Sequence, residues 1–163
     1  MPTSHHIATS LGNFHVVYSA NGLAALDFPG QTHAVDPGLP APIDEDFRSW
    51  NKLATDALLA ITTGKLPKKL PPLDVSRGSD FQRTVWQLLL AIPPGQTRTY
   101  GELAKHLNKT AGARAVGAAC GANPIPVIIP CHRVVGANGK FGGFSGGLEW
   151  KRRLLQIEGV LLA

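Results

Sequence analysis

Residues 64–77 of this 163-residue chain hold three prolines, Pro67, Pro71 and Pro72, interleaved with Lys65, Lys68 and Lys69. Proline fixes φ and lacks an N–H, so no helix or central strand can run through such a stretch. The chain is expected to divide there into an N-terminal unit, residues 1–75, and a C-terminal unit, residues 76–163. The charge balance changes sign at the same place. Residues 1–78 carry seven acidic and six basic side chains, whereas residues 79–163 carry four acidic and ten basic ones. The net charge of +5 is therefore a property of the second half. Such asymmetry suits a polyanionic partner, most often nucleic acid, and simple solubility would account for it equally well.

Hydrophobic residues make up 44% of the chain and charged residues 17%, enough apolar surface for a core and too much for disorder throughout. Apolar runs stop at about five residues, as in Leu88–Ile92 before Pro93-Pro94, where a membrane span needs ~20. The opening Met1-Pro2-Thr3-Ser4-His5-His6 lacks the basic-then-apolar order of a signal peptide, and a cytoplasmic protein is expected. The two cysteines, Cys120 and Cys131, make neither a disulfide scaffold nor a zinc finger by themselves.

In the first half, Phe14, Val16 and Tyr18 alternate along one strand, although Val17 weakens the pattern, and Asn21-Gly22 signals a hairpin into a second strand at Leu23–Phe28. Residues 29–42 hold four prolines and two glycines and read as a loop. Residues 44–63 read as a helix on the spacing of Phe47, Trp50, Ala54, Ala57, Leu58 and Ile61, with Asp44, Glu45 and Asp46 at its positive end.

The second half reads as mostly helical. Ser79 can cap a helix to about Ile92; Thr99-x-x-Glu102 is a capping box opening a helix to about Leu107; a third runs from Ala111 to about Gly121. The last two, joined by a short turn, form a helix-turn-helix silhouette, which DNA-binding proteins and ordinary helical cores share. Val127–Ile129, penned between Pro126 and Pro130, fits an extended buried segment. A glycine-rich loop follows at 136–147, and a last helix runs from Leu148 to about Glu158 with Trp150, Leu154 and Ile157 on one face. The expected fold class is α+β: a small N-terminal α/β unit with a short antiparallel sheet, then a mainly helical unit with the helix-turn-helix.

Cys131 and His132 stand together directly after the apolar segment. A thiol is a useful nucleophile only as thiolate, which a base or a cationic neighbour can bring about. A histidine can be that base, and a carboxylate can fix its tautomer. Adjacent residues of an extended chain point apart, so a water between them is a possible relay. A buried, inert cysteine beside an unrelated histidine is the other reading of the pair alone.

The wider context is more specific. Pro130-Cys131-His132-Arg133-Val134-Val135 resembles the active-site signature of the O6-alkylguanine-DNA alkyltransferases, the methylated-DNA–protein-cysteine methyltransferases. Arg114-Ala115-Val116-Gly117 is similar to that family's recognition helix, and Asn123-Pro124-Ile125-Pro126 to its asparagine hinge. Ser145-Gly146-Gly147-Leu148, Lys151, Leu154-Leu155 and Glu158-Gly159 follow its closing pattern, and Phe81-Gln82 with Val85-Trp86 fits its first helix. The resemblance covers about residues 78–160; residues 1–75 fit only loosely, as the family's variable N-terminal domain.

The resemblance implies direct-reversal DNA repair. Cys131 would accept an alkyl group from O6 of a flipped-out guanine and keep it as a thioether, so each molecule would act once, without metal or organic cofactor. His132 would act through a water as base, oriented by Glu158, and Asn123 would brace the turn before the site. Tyr100 would hydrogen-bond guanine N3. The carbonyls of Cys131 and Val134 would accept from the exocyclic amine, and Ser145 would contact O6. Phe144 would form an aromatic wall, and Lys151 matches the family's pattern near the substrate. Arg114 would fill the gap in the duplex, with Ala115 and Gly117 on a thin helix suited to a minor groove ~6 Å wide. Arg98, Lys105, Lys109 and Lys140 could contact phosphates. O4-alkylthymine as a second substrate and cooperative self-association on DNA are left open.

The sequence departs from the pattern in places. Phe144 stands where the family commonly has tyrosine, so a hydroxyl is lost from the pocket. Some members hold zinc in the N-terminal domain; here His5, His6, His15 and His33 are present without a cysteine, and no metal is expected. A non-catalytic subgroup replaces the acceptor with tryptophan, and Cys131 argues against membership in it. Two rivals to the repair reading are a cysteine hydrolase using Cys131, His132 and Glu158, which would turn over, and a DNA-binding module, in which Cys131→Ala would leave function intact.

Overall fold

A computed structural model describes residues 3–31, 39–107, 112–139 and 147–160. Three antiparallel strands open the chain: β1 (Thr3–Thr9), β2 (Gly12–Ser19) and β3 (Gly22–Asp27), in spatial order β1-β2-β3. The expected hairpin is present, with Ser19 opposite Gly22. The register shifts between Val17 and Tyr18. Val16, Val17, Tyr18 and Ser19 are all buried, which requires cover on both faces of the strand and explains the interrupted alternation. β1 has no counterpart in the sequence reading. It is an edge strand with Ser4, His5, His6 and Ala8 exposed and Ile7 buried, so it carries almost no apolar period.

Helix α1 (Asp44–Ile61) packs on the sheet, burying Ala54, Ala57, Leu58 and Ile61. Its Asn51 accepts a hydrogen bond from the Tyr18 hydroxyl at 2.8 Å, and its Phe47 meets the Tyr18 ring edge-on at 5.4 Å. Residues 62 and 63 end the helix rather than extend it: the Thr62 hydroxyl turns back to the Leu58 carbonyl at 2.6 Å.

The proline-lysine segment is no free tether. Leu23 N–H donates to the Pro72 carbonyl at 2.8 Å, and Asp74 N–H donates to the Leu23 carbonyl at 2.7 Å. The segment thus adds a parallel bridge to β3. Gly22 makes this approach possible, since a Cβ there would collide with the Pro72 carbonyl oxygen. The Asp74 carboxylate then accepts from the Ser19 and Ser76 hydroxyls.

The second half contains α2 (Asp80–Leu90), β4 (Arg98–Thr99), α3 (Tyr100–His106), α4 (Gly112–Gly121), β5 (Val134–Val135) and α5 (Leu148–Ile157). Ser79 caps α2 in a full capping box with Gln82, and Thr99 accepts the Glu102 amide at the start of α3. α3 packs on α4, and the Trp86 indole N–H donates to the Ala119 carbonyl at 2.8 Å, tying α2 to α4. The turn between α3 and α4 lies outside the described residues. Trp150 of α5 lies against Phe14 and Phe28, with ring centroids 5.9 and 4.9 Å away. One continuous cluster of buried side chains therefore runs from Ile7 and Phe14 through Trp86 and Val116 to Cys131 and Leu154.

Val127–Ile129 is not extended, as its composition suggested. Ile129 N–H donates to the Ile125 carbonyl at 2.9 Å, and Val127 sits at φ 76°. The flanking prolines 124, 126 and 130 offer no N–H to a neighbouring strand, and the segment closes into a buried turn. Among the described residues, no helix is long and apolar enough to cross a membrane.

Candidate active site

Cys131–Arg133 form one turn of 3₁₀ helix directly after Pro130. Neighbouring segments hold this turn in place. From the front, Asn123 accepts the Ile125 amide at 2.9 Å and donates to the Ile129 carbonyl at 2.8 Å. One side chain thereby satisfies both ends of the buried turn. From behind, Glu158, the residue that ends α5, reaches His132 and Arg133.

The His132 ring is fully buried, and its Nε2 pairs with Glu158 Oε2 at 3.0 Å. With the carboxylate as acceptor, Nε2 carries the proton and Nδ1 keeps its lone pair. Nδ1 is buried without a hydrogen-bond partner among the described residues. Burial holds the imidazole below its ordinary range, against the opposing pull of Glu158. Burial would raise the Glu158 carboxyl, but hydrogen bonds from His132 and Arg133 and the Arg133 charge outweigh it and hold the carboxyl well below its ordinary range. Glu158 is a carboxylate and His132 a neutral base at physiological pH.

Cys131 is 2% exposed. Burial pushes its thiol up to about 11, with a hydrogen bond from Asn123 and the Lys151 charge pulling the other way. It therefore rests as a thiol, and a nucleophilic role would require a base. Its carbonyl already accepts the Val134 amide, which leaves one lone pair for a ligand.

Tyr100 begins α3, and its hydroxyl accepts from the fully buried Lys151 Nζ at 3.4 Å. Burial raises the phenol to about 12 and lowers the Lys151 ammonium. Tyr100 also lines an open cavity of about 540 Å³ with Ala113, Arg114 and Gly117 of α4 and Gly136 and Ala137 beyond the active turn. Arg114 is exposed, whereas Ala115 and Gly117 are half-buried.

The structure thus joins Asn123 to Cys131, ties His132 and Arg133 to Glu158, links Tyr100 to Lys151, and sets Arg114 in the wall of the cavity beside Tyr100. Val134 is buried in β5, beside Cys131. Ser145 and Phe144, and the phosphate candidates Lys109 and Lys140, lie outside the described residues. Arg98 spends its guanidinium on its own loop, donating to Thr97 and Gln96. Sequence reasoning missed Arg133, which is 4% exposed and makes three hydrogen bonds within the site; apart from its place in the signature, nothing along the chain marks it as a buried cation. In the first half, His15 pairs with Asp27 at 3.2 Å. Among the described residues, no group of three metal-ligating side chains converges.

Residues 80–160 match the family described as the 6-O-methylguanine DNA methyltransferase, DNA-binding domain. The chain is 54% identical over 119 residues to a methylated-DNA–protein-cysteine methyltransferase of Methanosarcina acetivorans, covering 71% of both chains. It is 51% identical over 105 residues to the protein of that name from Mycobacterium tuberculosis, covering 64% of this chain and 63% of the relative. The aligned part thus spans just under two thirds of the mycobacterial relative's length. In three dimensions it is similar to the crystal structure of Mycobacterium tuberculosis OGT in complex with DNA, with a TM-score of 0.78, 39% identity, and coverage of 95% of this chain and 91% of that one.

Proposed function

Because the chain belongs to the methylated-DNA–protein-cysteine methyltransferase family, we propose that it repairs alkylated duplex DNA by moving an alkyl group from guanine O6 to Cys131. The observation that carries this reading is the unpartnered, buried Nδ1 of His132, the residue that follows the thiol, fixed as an acceptor by Glu158. Through a water, Nδ1 takes the Cys131 proton. The sulfur attacks the alkyl carbon, the S–C bond forms as the C–O6 bond breaks, and the electron pair leaves with guanine. Tyr100, kept protonated by burial, donates to N3 and makes the base a better leaving group. The proton lost by Cys131 replaces it through solvent.

The target atom lies within the base stack, so the nucleotide must be flipped out, at a few kcal/mol. The cavity between Tyr100 and α4, which Gly136 and Ala137 also line, would receive it, with Arg114 in its wall to fill the gap in the duplex. The alanines and glycines of α4 give a thin helix fit for the minor groove, which carries little sequence information and so suits repair at any sequence. A thioether has no route back to thiol, so one molecule acts once. Incubation with a duplex holding one O6-methylguanine, followed by peptide mass, should add ~14 Da to Cys131, at one methyl per chain, through covalent capture. Repeated turnover, or methyl removal by Cys131→Ala, would overturn the reading. The same assay on O4-methylthymine defines the second substrate.

A further inference from the structure

We propose that Arg133 is a positioning residue for this reaction: its guanidinium neutralises Glu158 and so keeps His132 uncharged, with Nδ1 free to accept the thiol proton. This inference rests on the reading of Cys131 as alkyl acceptor.

A histidine facing a lone buried carboxylate tends to become imidazolium, because the ion pair is worth more than the neutral contact where water is excluded. An imidazolium has no lone pair at Nδ1 and cannot act as a base. The site avoids this outcome by giving the carboxylate a permanent cation. Arg133 Nε donates to Glu158 Oε1 at 2.9 Å and Nη2 to Oε2 at 2.7 Å, a two-pronged grip that only a guanidinium makes. Oε2 is shared with His132. The negative charge is thus already matched when the imidazole meets it.

The grip is anchored from a third direction. Arg133 Nη1 donates to the Ile92 carbonyl, just past α2, at 2.7 Å. The fork is therefore tied to the ends of both α2 and α5 and cannot swing away from the carboxylate. The charged groups acting on the His132 ring are Glu158 and Lys151 from the α5 side and Arg133 from its own turn. Burial and the two cations favour the neutral ring, and Glu158 opposes them. On the α2 side, the uncharged Ile92 carbonyl accepts from Arg133.

Arg133→Met and Arg133→Lys of the full chain test this, with folding established by near-UV circular dichroism. The first readout is the His132 ring-proton NMR titration in the protein alone, assigned with His132→Gln. The second is the single-turnover methyl-transfer rate against pH. In Arg133→Met, the His132 midpoint should rise by about one pH unit or more, and the acid limb of the rate profile should move up with it. Arg133→Lys keeps the charge without the fork. Its midpoint should stay near native while the plateau rate falls about three- to tenfold, because the carboxylate is no longer held in place. An unmoved midpoint in Arg133→Met overturns the proposal. So does a native plateau rate in Arg133→Lys, which decides alone if Arg133→Met does not fold. If the native chain transfers no methyl group, the acceptor reading fails, while the NMR titration still reports on Arg133.

Discussion

The Leu26 backbone amide donates to the Pro124 carbonyl at 3.0 Å. The third strand of the N-terminal sheet is therefore hydrogen-bonded to the turn that leads into Cys131. The Phe14, Phe28 and Trp150 rings add an apolar contact between the same sheet and α5, whose end carries Glu158. The acidic half of the chain thus buttresses two sides of the active turn.

Phe14 is fully buried in that contact. Phe14→Ala should destabilise the fold by about 3–5 kcal/mol through lost burial and a residual cavity. Urea unfolding followed by tryptophan fluorescence measures it; a loss below about 1 kcal/mol would show that the sheet and α5 are not coupled through this ring.

Asn123→Ala would leave the Ile125 amide and the Ile129 carbonyl buried without partners. At about 1–3 kcal/mol for each of the two orphaned groups, the expected loss is about 2–6 kcal/mol. Asn123→Asp keeps the acceptor for Ile125 but not the donor to Ile129, and should fall between. Equal stability of native and Ala chains in chemical denaturation would remove Asn123 from its bracing role.

His132 and Glu158 make stability fall as the solution is acidified. The His132 midpoint lies below its ordinary 6.5 in the folded chain, so the unfolded chain binds the extra proton first and stability starts to drop below pH 6.5. The Glu158 carboxyl lies at about 2 when folded against its ordinary 4.5, so its contribution is complete above 4.5 and lost as pH falls towards 2. The two groups share one hydrogen bond, so their contributions are not additive. Glu158→Gln should flatten the lower limb between pH 4.5 and 2. Denaturation at a series of pH values checks this, and an unchanged limb would count against it.

Both thiols should resist alkylating reagents in the folded protein. Cys131 lies at about 11 and Cys120 at about 12 through burial, against an ordinary 9. That leaves about a hundredfold less thiolate at Cys131 and about a thousandfold less at Cys120 at neutral pH, before the steric effect of burial. Iodoacetamide labelling at pH 7.5, mapped by peptide mass, should therefore be slow at both sites and fast after denaturation. Rapid labelling of folded Cys131 would mean that the thiol is activated without DNA.

Several elements were legible along the chain because local chemistry specifies them. The Ser79 and Thr99 caps, the acidic first turn of α1 and the Asn21-Gly22 hairpin each depend on residues a few positions apart. β1 was illegible because an edge strand with one buried side chain has no period to read. Val127–Ile129 was misread because an apolar run between prolines looks the same whether it is pulled straight or folded over an asparagine side chain. At 64–77 the prolines stop regular elements, as local chemistry dictates, but the hydrogen bonds of Pro72 and Asp74 go to Leu23, about 50 residues earlier, which nothing local signals.

The sequence by itself singled out Cys131, His132 and the flanking motifs as candidates for the chemistry, since they are contiguous or follow the family's order along the chain. Only the tertiary structure decided how they are charged and aimed. Glu158 lies 26 residues beyond His132, and Arg133 is aimed at Glu158 and Ile92 rather than at solvent. Which His132 nitrogen holds the proton, and whether the Cys131 thiol is ionised, depend on burial and on partners brought together by folding, because solvation and hydrogen bonding act through space.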